Sequence, residues 1–533
     1  MAGGESGRMS TRMPTIYDRL RLFSSTVTLH LSKHAGVGIV CAVAYFDPGN
    51  WATDLQAGSD HGFRLLFIVL LAGLFAAFLQ SLATRLGCVT GLDLASHCRV
   101  LLHDRPKHKL LYRHLLLYPL YLLSEVAIIA TDLAELLGSA IALVLLFPKL
   151  EVWHGVLLTA FDVIFLLALR DPLRSTPVRA FELLIAGLVL AVFVCMIIVV
   201  SKVHVQWADA FEGFLPSKTI FKSNALYTSV GILGATIMPH SLFLGSALAT
   251  QNRLLSNTSV DQPSPPPLQL ESKRPPWLEF IYSVFRTPAA SPHSTRVKRH
   301  SDRENNSIVF IRAHLNHARL DVIGSLLGFA VLINSMILIV AAMVFYYGHD
   351  ISTSNSESAS LFDVYNVIER VVSKGAATLF AVALLAAGQS SSIIATVAGQ
   401  AVAEGFLNWR LSPILRRLMT RLIAVIPSMI VAVALGRPGI DTLLVASQVI
   451  LSIVLPFIII PLIFFTSSKT IMQVKKPSPP STVSEPEADA VGWEGSIDYS
   501  SGKITTLVGC AIWLIIFAAN VYVIATMIRD AGH

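Results

Sequence analysis

Eleven apolar runs, each about twenty residues long or longer, leave this chain of 533 residues few ways to fold. A run of that length crosses the hydrocarbon core of a bilayer as one helix. Charged residues form only 14% of the chain, against about 25% in soluble domains. The composition therefore predicts an all-α integral membrane protein. The runs lie near residues 35–58, 62–87, 110–146, 152–169, 179–201, 223–249, 318–347, 371–406, 415–435, 438–467 and 504–528.

The basic residues of the connections predict which way the helices face. If the N-terminus lies in the cytosol, the second, fourth, sixth, eighth and tenth connections do too, and these are the basic ones. We therefore expect a multi-pass protein with a cytosolic tail at 1–34 and cytosolic loops at 250–317 and 468–503. The first loop is rich in proline, serine and basic residues, which predicts disorder, and the second is similar. The net charge of +7 reflects this orientation rather than nucleic-acid binding.

Four residues, Asp47-Pro48-Gly49-Asn50, interrupt the first apolar run. Pro48 removes a backbone donor and clashes with the preceding turn, and Gly49 frees the backbone further. The break places a carboxylate and a carboxamide at membrane depth. Freed backbone groups are tolerated there only where they face a cavity or a ligand, and a carboxylate in a membrane segment is by default functional. The alternative is an ordinary turn at a helix end.

The sixth run contains a second interruption at Pro239, which lies between Met238 and His240. A single proline kink is unremarkable in a membrane helix, but these two interruptions lie five runs apart. Interrupted first helices in two halves of five helices are the sequence mark of a transporter with inverted repeats and a midplane binding site. The predicted parts are a first repeat at 35–201, a second repeat that opens at 223–249 and continues at 318–467, and an additional helix at 504–528.

The two interruptions offer a distinctive set of metal ligands. Asp47 supplies an anionic oxygen, Asn50 a neutral oxygen, and an unwound segment near Ala235 a backbone carbonyl. Met238 adds a thioether, which magnesium and calcium bind poorly and which softer transition metals such as Mn²⁺, Fe²⁺ or Cd²⁺ accept. The residues therefore favour a site for a divalent transition metal. The alternative for Met238 is plain packing.

Three further acidic residues, Glu125, Asp132 and Glu135, lie within the third run. At 100° per residue they fall within an arc of roughly 80° on one face of a helix. Buried carboxylates are costly, and a chain of them can relay protons, with His240 as a link to the metal site. The alternative is a static network of acids and arginines that packs the helices. The candidate basic partners near the start of the ninth run are Arg416, Arg417 and Arg421.

Five motifs carry a family resemblance: DPGNWATDLQAG in the first run, EVAIIATDLAE in the third, GATIMPH in the sixth, LLAAGQSSSIIATVAGQ in the eighth and SQVILSIVLPF in the tenth. Together they resemble the Nramp family of proton-coupled divalent-metal transporters. The resemblance covers essentially all the runs, and the combination of DPGN with MPH is highly specific. The long Ser/Pro-rich loop is similar to that of fungal members. The family implies a LeuT-type fold, which is a 5+5 inverted repeat, with an eleventh helix.

The resemblance also implies roles for individual residues. The positions that would match the family's metal ligands are Asp47, Asn50, Met238, Gln448 and the backbone carbonyls of Ala44 and Ala235. The positions that would match its proton pathway are His240, Glu125, Asp132 and Glu135, with Arg417 or Arg421 as basic partners. The helix breaks would fall at Pro48, Gly49 and Pro239.

The expected function is secondary transport rather than enzyme chemistry. We expect Mn²⁺ or Fe²⁺, and in addition Cd²⁺, Co²⁺ or Zn²⁺, to enter the cytosol with protons by alternating access across a plasma, vacuolar or endosomal membrane. The metal is the cargo, so no resident cofactor is expected. The alternatives are a Na⁺-coupled amino-acid transporter of the same fold and a membrane-embedded metal sensor. An intramembrane metalloenzyme is disfavoured because the sequence contains no HExxH motif.

Overall fold

The computed structural model describes residues 36–159, 173, 179–254, 299–300, 303–348, 360–408, 413–477 and 493–531. The predictions for the tail at 1–34, for the end of the fourth run at 160–169 and for most of the 250–317 loop lie outside these residues. Within the described residues the chain is almost entirely helical, in agreement with the all-α class that the composition predicts.

The first part of the described chain contains α1 (Val37–Val43), α2 (Pro48–His61), α3 (Leu66–Thr90), α4 (Leu94–Leu102), α5 (Lys109–Tyr112), α6 (Tyr118–Leu146), α7 (Val152–Thr159), α8 (Arg179–Lys202), α9 (Trp207–Glu212), α10 (Ser223–Thr236) and α11 (Pro239–Leu248). The second part contains α12 (Ile308–Ser325), α13 (Val331–Ala341), α14 (Leu361–Val371), α15 (Lys374–Leu407), α16 (Pro413–Ala434), α17 (Gly436–Ser467), α18 (Lys469–Met472), β1 (Gln473–Pro477), β2 (Trp493–Asp498) and α19 (Lys503–Ala531). Short 3₁₀ turns lie at Gly62–Leu65 and Lys218–Phe221, and π-helical turns at Arg113–Leu117, Leu326–Ala330 and Ala342–Tyr346.

Eight helical stretches of the described chain are long and apolar enough to cross a membrane. The first stretch unites α2 and α3, which belong to the first two predicted runs. Because the fourth run extends outside the described residues, the total of eleven spans stays a prediction. The stretches are Pro48–Thr90, Lys109–Leu146, Ala180–Lys202, Asn224–Leu248, Ile308–Tyr346, Lys374–Leu407, Gly436–Ser467 and Lys503–Thr526, and Leu418–Ala434 is a shorter apolar helix.

The helices pack around α2 and α6, which carry most of the acidic site candidates. Helix α6 packs against α15, α16 and α17, and α2 packs against α10, α13 and α17. The close approach of α2 to α6 requires glycine at position 138, because a Cβ atom there would lie 2.0 Å from the Cβ of Pro48. In α2, one turn from Pro48, the Trp51 ring lies 5.3 Å from the ring of Phe380 in α15. The start of α2 is therefore held in the core of the bundle.

Helix α12 begins inside the segment that the sequence predicts to be a disordered loop. It starts at Ile308, where the Ser307 side chain accepts a hydrogen bond from the Phe310 N–H at 3.2 Å. The predicted loop at 250–317 is therefore wrong at its C-terminal end. The basic and histidine residues of this segment favoured a loop in the sequence analysis. The segment nevertheless has an apolar helical face, on which Ile308, Ile311 and Leu315 are buried.

The 468–503 connection also contains regular structure. Strand β1 pairs with β2 in an antiparallel ladder that places Val474 opposite Ile497. The Asn305 side chain donates hydrogen bonds to the carbonyls of Ile471 and Gln473, both at 2.8 Å, and so fastens β1 to the start of the α12 segment. The prediction of an irregular loop is therefore wrong at both ends of this connection. It was based on the Pro- and Ser-rich centre, whereas the apolar residues on the two sides of that centre form the strands.

Candidate metal site between two interrupted helices

Helix α1 ends at Val43 and α2 begins at Pro48, so the chain is not helical across Ala44–Asp47. Pro48 occupies the first position of α2, where its missing N–H costs no helical hydrogen bond. The Asp47 carboxylate caps the helix by accepting hydrogen bonds from the N–H groups of Gly49 at 3.3 Å and Asn50 at 3.1 Å. The carboxylate therefore sits at the positive end of the α2 dipole, which stabilises its charge.

Helix α10 ends at Thr236 and α11 begins at Pro239, so the second interruption covers Ile237 and Met238. Met238 has extended backbone angles, and its side chain is fully buried. In an unbroken helix the N–H of residue 239 would bond to the carbonyl of Ala235. Proline has no N–H, so the Ala235 carbonyl is released for another partner.

The side-chain amide of Asn50 joins the two interruptions. Its nitrogen donates hydrogen bonds to the Asp47 carboxylate at 2.6 Å and to the Ala235 carbonyl at 3.0 Å. Its oxygen accepts a hydrogen bond from the Thr236 hydroxyl at 3.3 Å. A carboxylate from the first interruption and a free carbonyl from the second therefore converge on one small polar group inside the membrane bundle.

Gln448 reaches the same place from α17. A Cβ atom on Gly49 would lie 1.8 Å from the Gln448 amide nitrogen, so only glycine at 49 admits this side chain. The amide nitrogen donates to the Ser447 hydroxyl at 3.1 Å, and the amide oxygen has no hydrogen-bond partner within the described residues. Gln448 is therefore a further neutral oxygen beside the first interruption.

The donor set is poor in charge. Nowhere in the described ranges do three or more His, Cys, Asp or Glu side chains cluster as a metal would require. A cation here would instead be held by one carboxylate together with carboxamide, carbonyl and thioether groups. All of them are buried at 0–1% exposure: Asp47, Asn50, Met238, Gln448, Ala44 and Ala235. A single carboxylate would neutralise a divalent cation only in part.

The acidic residues of α6 meet arginines of α16. The Arg416 guanidinium donates to both oxygens of Glu125 at 2.8 Å, and Arg421 contacts the Asp132 carboxylate at 3.1 Å. Arg421 also donates to the Ser392 hydroxyl of α15 at 2.9 Å. Arg416 and Arg421 therefore both pair with acids of α6, and the side chain of Arg417 lies outside the described part of the chain.

The remaining members of the predicted proton pathway contact hydroxyl groups of serine and threonine. The Ser391 hydroxyl donates to the Glu135 carboxylate at 2.6 Å. The Nδ1 atom of His240 lies 3.2 Å from the hydroxyl of Thr131, and its Nε2 atom has no hydrogen-bond partner in the described chain. His240 belongs to the first turn of α11, directly after Pro239. It therefore lies between the second interruption and the acidic face of α6.

Several residues of this site were not singled out from the sequence. Ser391 and Ser392 belong to a run of three serines in an apolar helix, and this polar run was the available signal. Asp54 is fully buried one turn beyond Asn50 in α2. Its signal was the spacing of seven residues from Asp47, which returns to the same helical face.

Two interrupted helices that meet inside a helical membrane bundle define a LeuT-type membrane protein. The chain belongs to the Nramp family: residues 38–484 match the family described as natural resistance-associated macrophage protein-like.

Relatives and solved structures agree with this assignment. The chain is 42% identical over 496 residues to the manganese transporter pdt1 of Schizosaccharomyces pombe, which covers 92% of this chain and 84% of that protein. It is 36% identical to the iron transporter SMF3 of Saccharomyces cerevisiae, over 94% of this chain and 97% of that one. The crystal structure of a manganese transporter from Eremococcus coleocola matches with a TM-score of 0.68 at 27% identity, and covers 98% of this chain and 90% of that chain.

Proposed function

We propose that this protein moves divalent transition-metal ions, with Mn²⁺ or Fe²⁺ as the main cargo, into the cytosol together with protons. The observation that carries the proposal is the convergence of the Asp47 carboxylate and the Ala235 carbonyl on the Asn50 side-chain amide, whose nitrogen donates a hydrogen bond to each of them. The manganese and iron transporters among its relatives support the choice of cargo. Cd²⁺, Co²⁺ and Zn²⁺ have similar ligand preferences and are expected as further cargo.

The metal would bind where the Asn50 amide now bridges the two interruptions. Amide oxygen and nitrogen have nearly the same shape, so a half turn of the amide presents oxygen in place of nitrogen to Asp47 and Ala235. That rotation converts a hydrogen-bonded contact into three oxygen ligands for a cation. Met238 would add its thioether, and the Ala44 carbonyl and Gln448 would complete the shell in different stages of the cycle.

We infer alternating access as the mechanism. The short helices on the two sides of each interruption can tilt separately, because α1 ends at Val43 before α2 begins at Pro48, and α10 ends at Thr236 before α11 begins at Pro239. Rocking of these pieces would open the site first to one side of the membrane and then to the other. Basic connections support a cytosolic N-terminus, and we propose the plasma, vacuolar or endosomal membrane as the location.

Protons would follow a separate route along α6. His240 beside Thr131 offers the first step, and the acids Glu135, Asp132 and Glu125 line the following turns. Separate routes are favourable because two cations repel strongly in a low-dielectric site. A static network of acids and arginines remains the competing explanation, since Glu125 and Asp132 both pair with arginine.

Uptake by purified protein in proteoliposomes tests the proposal. We expect Mn²⁺ uptake that is accelerated by an inward proton gradient and is lost in Asp47→Ala. The matched control is Asp60→Asn, which removes an exposed carboxylate from the far end of the same helix and should leave uptake unchanged. Absence of Mn²⁺ and Fe²⁺ uptake would overturn metal transport, and uptake that ignores the proton gradient would overturn symport alone.

A further inference from the structure

Asp54 lies on the same face of α2 as the two metal-site residues. At 100° per residue, Asp47, Asn50 and Asp54 fall within about 60° of one another around the helix axis. Asp54 is seven residues beyond Asp47, which places it about 10 Å further along the helix. It is 0% exposed, so its carboxylate is inside the bundle and not at the surface of the membrane protein.

Both carboxylate oxygens of Asp54 lack a hydrogen-bond donor among the described residues. This distinguishes Asp54 from the other buried acids, because Asp47 has helix N–H donors and Asp132 has an arginine. A buried carboxylate without donors is costly, so packing alone does not account for an aspartate at this position. Within a membrane segment such a group is by default part of a pathway for ions or protons.

Helices packed against α2 carry further oxygens without donors, and these lie at the first interruption. Helices α13 and α17 both pack against α2, and each carries a buried carboxamide. Across the described chain, the side-chain oxygens of Asn334 in α13 and Gln448 in α17 have no donor. The Asn334 nitrogen is committed to the Tyr45 carbonyl at 2.8 Å, which leaves its oxygen as the available atom. Gln448 lies beside Gly49, and Asn334 is bonded to a carbonyl of the first interruption, so both oxygens lie where an ion that leaves Asp54 would go next, and not at Asp54 itself.

We propose that Asp54 forms a second cation position, at which a partly hydrated divalent metal ion stops before it reaches Asp47. The inference rests on the proposed function, because it concerns the route of the same cargo. Helix α2 leads away from the first interruption toward His61, so an ion that travels along it meets Asp54 first. Two divalent ions about 10 Å apart repel one another in a low-dielectric bundle, so the two positions are filled in turn.

The first test separates the two positions by equilibrium binding, without transport. Purified full-length Asp47→Ala should still bind one Mn²⁺ weakly in a calorimetric titration, and Asp47→Ala combined with Asp54→Asn should bind none. Elution of each variant as a single symmetric peak on size exclusion establishes that it is folded. Equal binding by the single and double variants, including none in either, would overturn the second position.

The second test measures uptake kinetics in proteoliposomes. Asp54→Asn keeps the size of the side chain and removes its charge. We expect it to raise the KM for Mn²⁺ by about ten- to a hundredfold while kcat changes little. Glu151→Gln, which removes the charge of an exposed acid between α6 and α7, is the matched control and should leave KM unchanged. An unchanged KM with a shifted pH profile would overturn the metal position and make Asp54 a proton carrier instead. Failure of the unmodified protein to take up Mn²⁺ would count against the proposed function itself, which keeps the two failures distinct.

Discussion

The side-chain amide of Asn50 donates a hydrogen bond to the carbonyl of Ala235 at 3.0 Å, across 185 residues of sequence. This contact exists because Pro239 cannot use that carbonyl, and because α2 turns Asn50 toward α10. The same amide holds Asp47 at 2.6 Å. One small side chain therefore determines how the two interruptions face each other.

Removal of this amide should weaken metal binding. Asn50→Ala deletes one proposed ligand and releases Asp47 from its closest contact, so we expect a ten- to hundredfold loss in Mn²⁺ affinity, about the effect of losing an orienting partner at a metal site. Calorimetric titration of the purified protein measures it. The control is Asn224→Ala, which truncates an exposed asparagine at the start of α10. Equal affinities in the two variants would exclude Asn50 from the site.

The thioether of Met238 should determine the selectivity of uptake for soft over hard cations. Without its thioether the remaining ligands are oxygens, so Met238→Ala is expected to keep Mn²⁺ uptake and to admit Ca²⁺ or Mg²⁺. Competition of each cation against radiolabelled Mn²⁺ in proteoliposomes gives the selectivity ratio. Met196→Ala, which truncates an equally buried methionine in α8, should leave that ratio unchanged. Selectivity that does not differ between the variants would refute the role of sulfur.

The two arginine–acid pairs should differ in their effect on stability. Asp132 and Arg421 are 1% and 2% exposed, and Arg421→Met would remove the cation that lies 3.1 Å from this buried acid, at a cost of about 3 kcal/mol. Glu125 is 16% exposed, so water can replace Arg416 in part and Arg416→Met should cost less. Thermal unfolding in detergent compares them. A larger loss from Arg416→Met would contradict this ranking.

A histidine pair beside the ends of α3 and α17 should make stability depend on pH. His97 and His300 lie 3.0 Å apart through Nδ1 and Nε2, with their rings stacked. Burial lowers the pKa of His300 to about 4, with a smaller contribution from Arg303, and burial also holds the pKa of His97 well below its usual range. Both rings are therefore neutral in the folded protein at pH 7.

The direction of this dependence follows from the lowered pKa values. As pH falls below about 6.5, the unfolded chain binds protons that the folded pair resists, so the free energy of unfolding decreases toward pH 4. Melting temperatures in detergent between pH 7.5 and pH 5 measure the slope. His300→Gln removes one titrating ring and should flatten it. A slope that is identical in both proteins would show that this pair does not contribute.

The two helix interruptions were predictable from the sequence, because proline and glycine act on the backbone locally. Pro239 releases a carbonyl four residues earlier whatever surrounds it, and Asp47 before Pro48 is a helix cap by its chemistry alone. The family resemblance added Gln448, whose approach to Gly49 depends on the packing of α17.

The remaining features depend on how helices rotate against one another. Arg416, Arg417 and Arg421 all occupy the first turns of α16, and only the packing of α16 on α6 determines which of them reach Glu125 and Asp132. Asp54 differs from these arginines, because its spacing of seven residues from Asp47 predicts the shared helical face without any packing information. The π-helical turns shift the helical register, and the turn at Leu326–Ala330 contains no proline that would mark it in the sequence.

The ladder between β1 and β2 has a practical consequence for experiments on membrane orientation. Paired strands lie about 5 Å apart, so the ends of the intervening segment are clamped together independently of its length. Lengthening a closed loop of this kind costs little free energy. An epitope inserted between residues 480 and 490 should therefore leave α17 and α19 undisturbed. Antibody binding to this epitope in intact and in permeabilised cells would then show on which side of the membrane the paired strands lie.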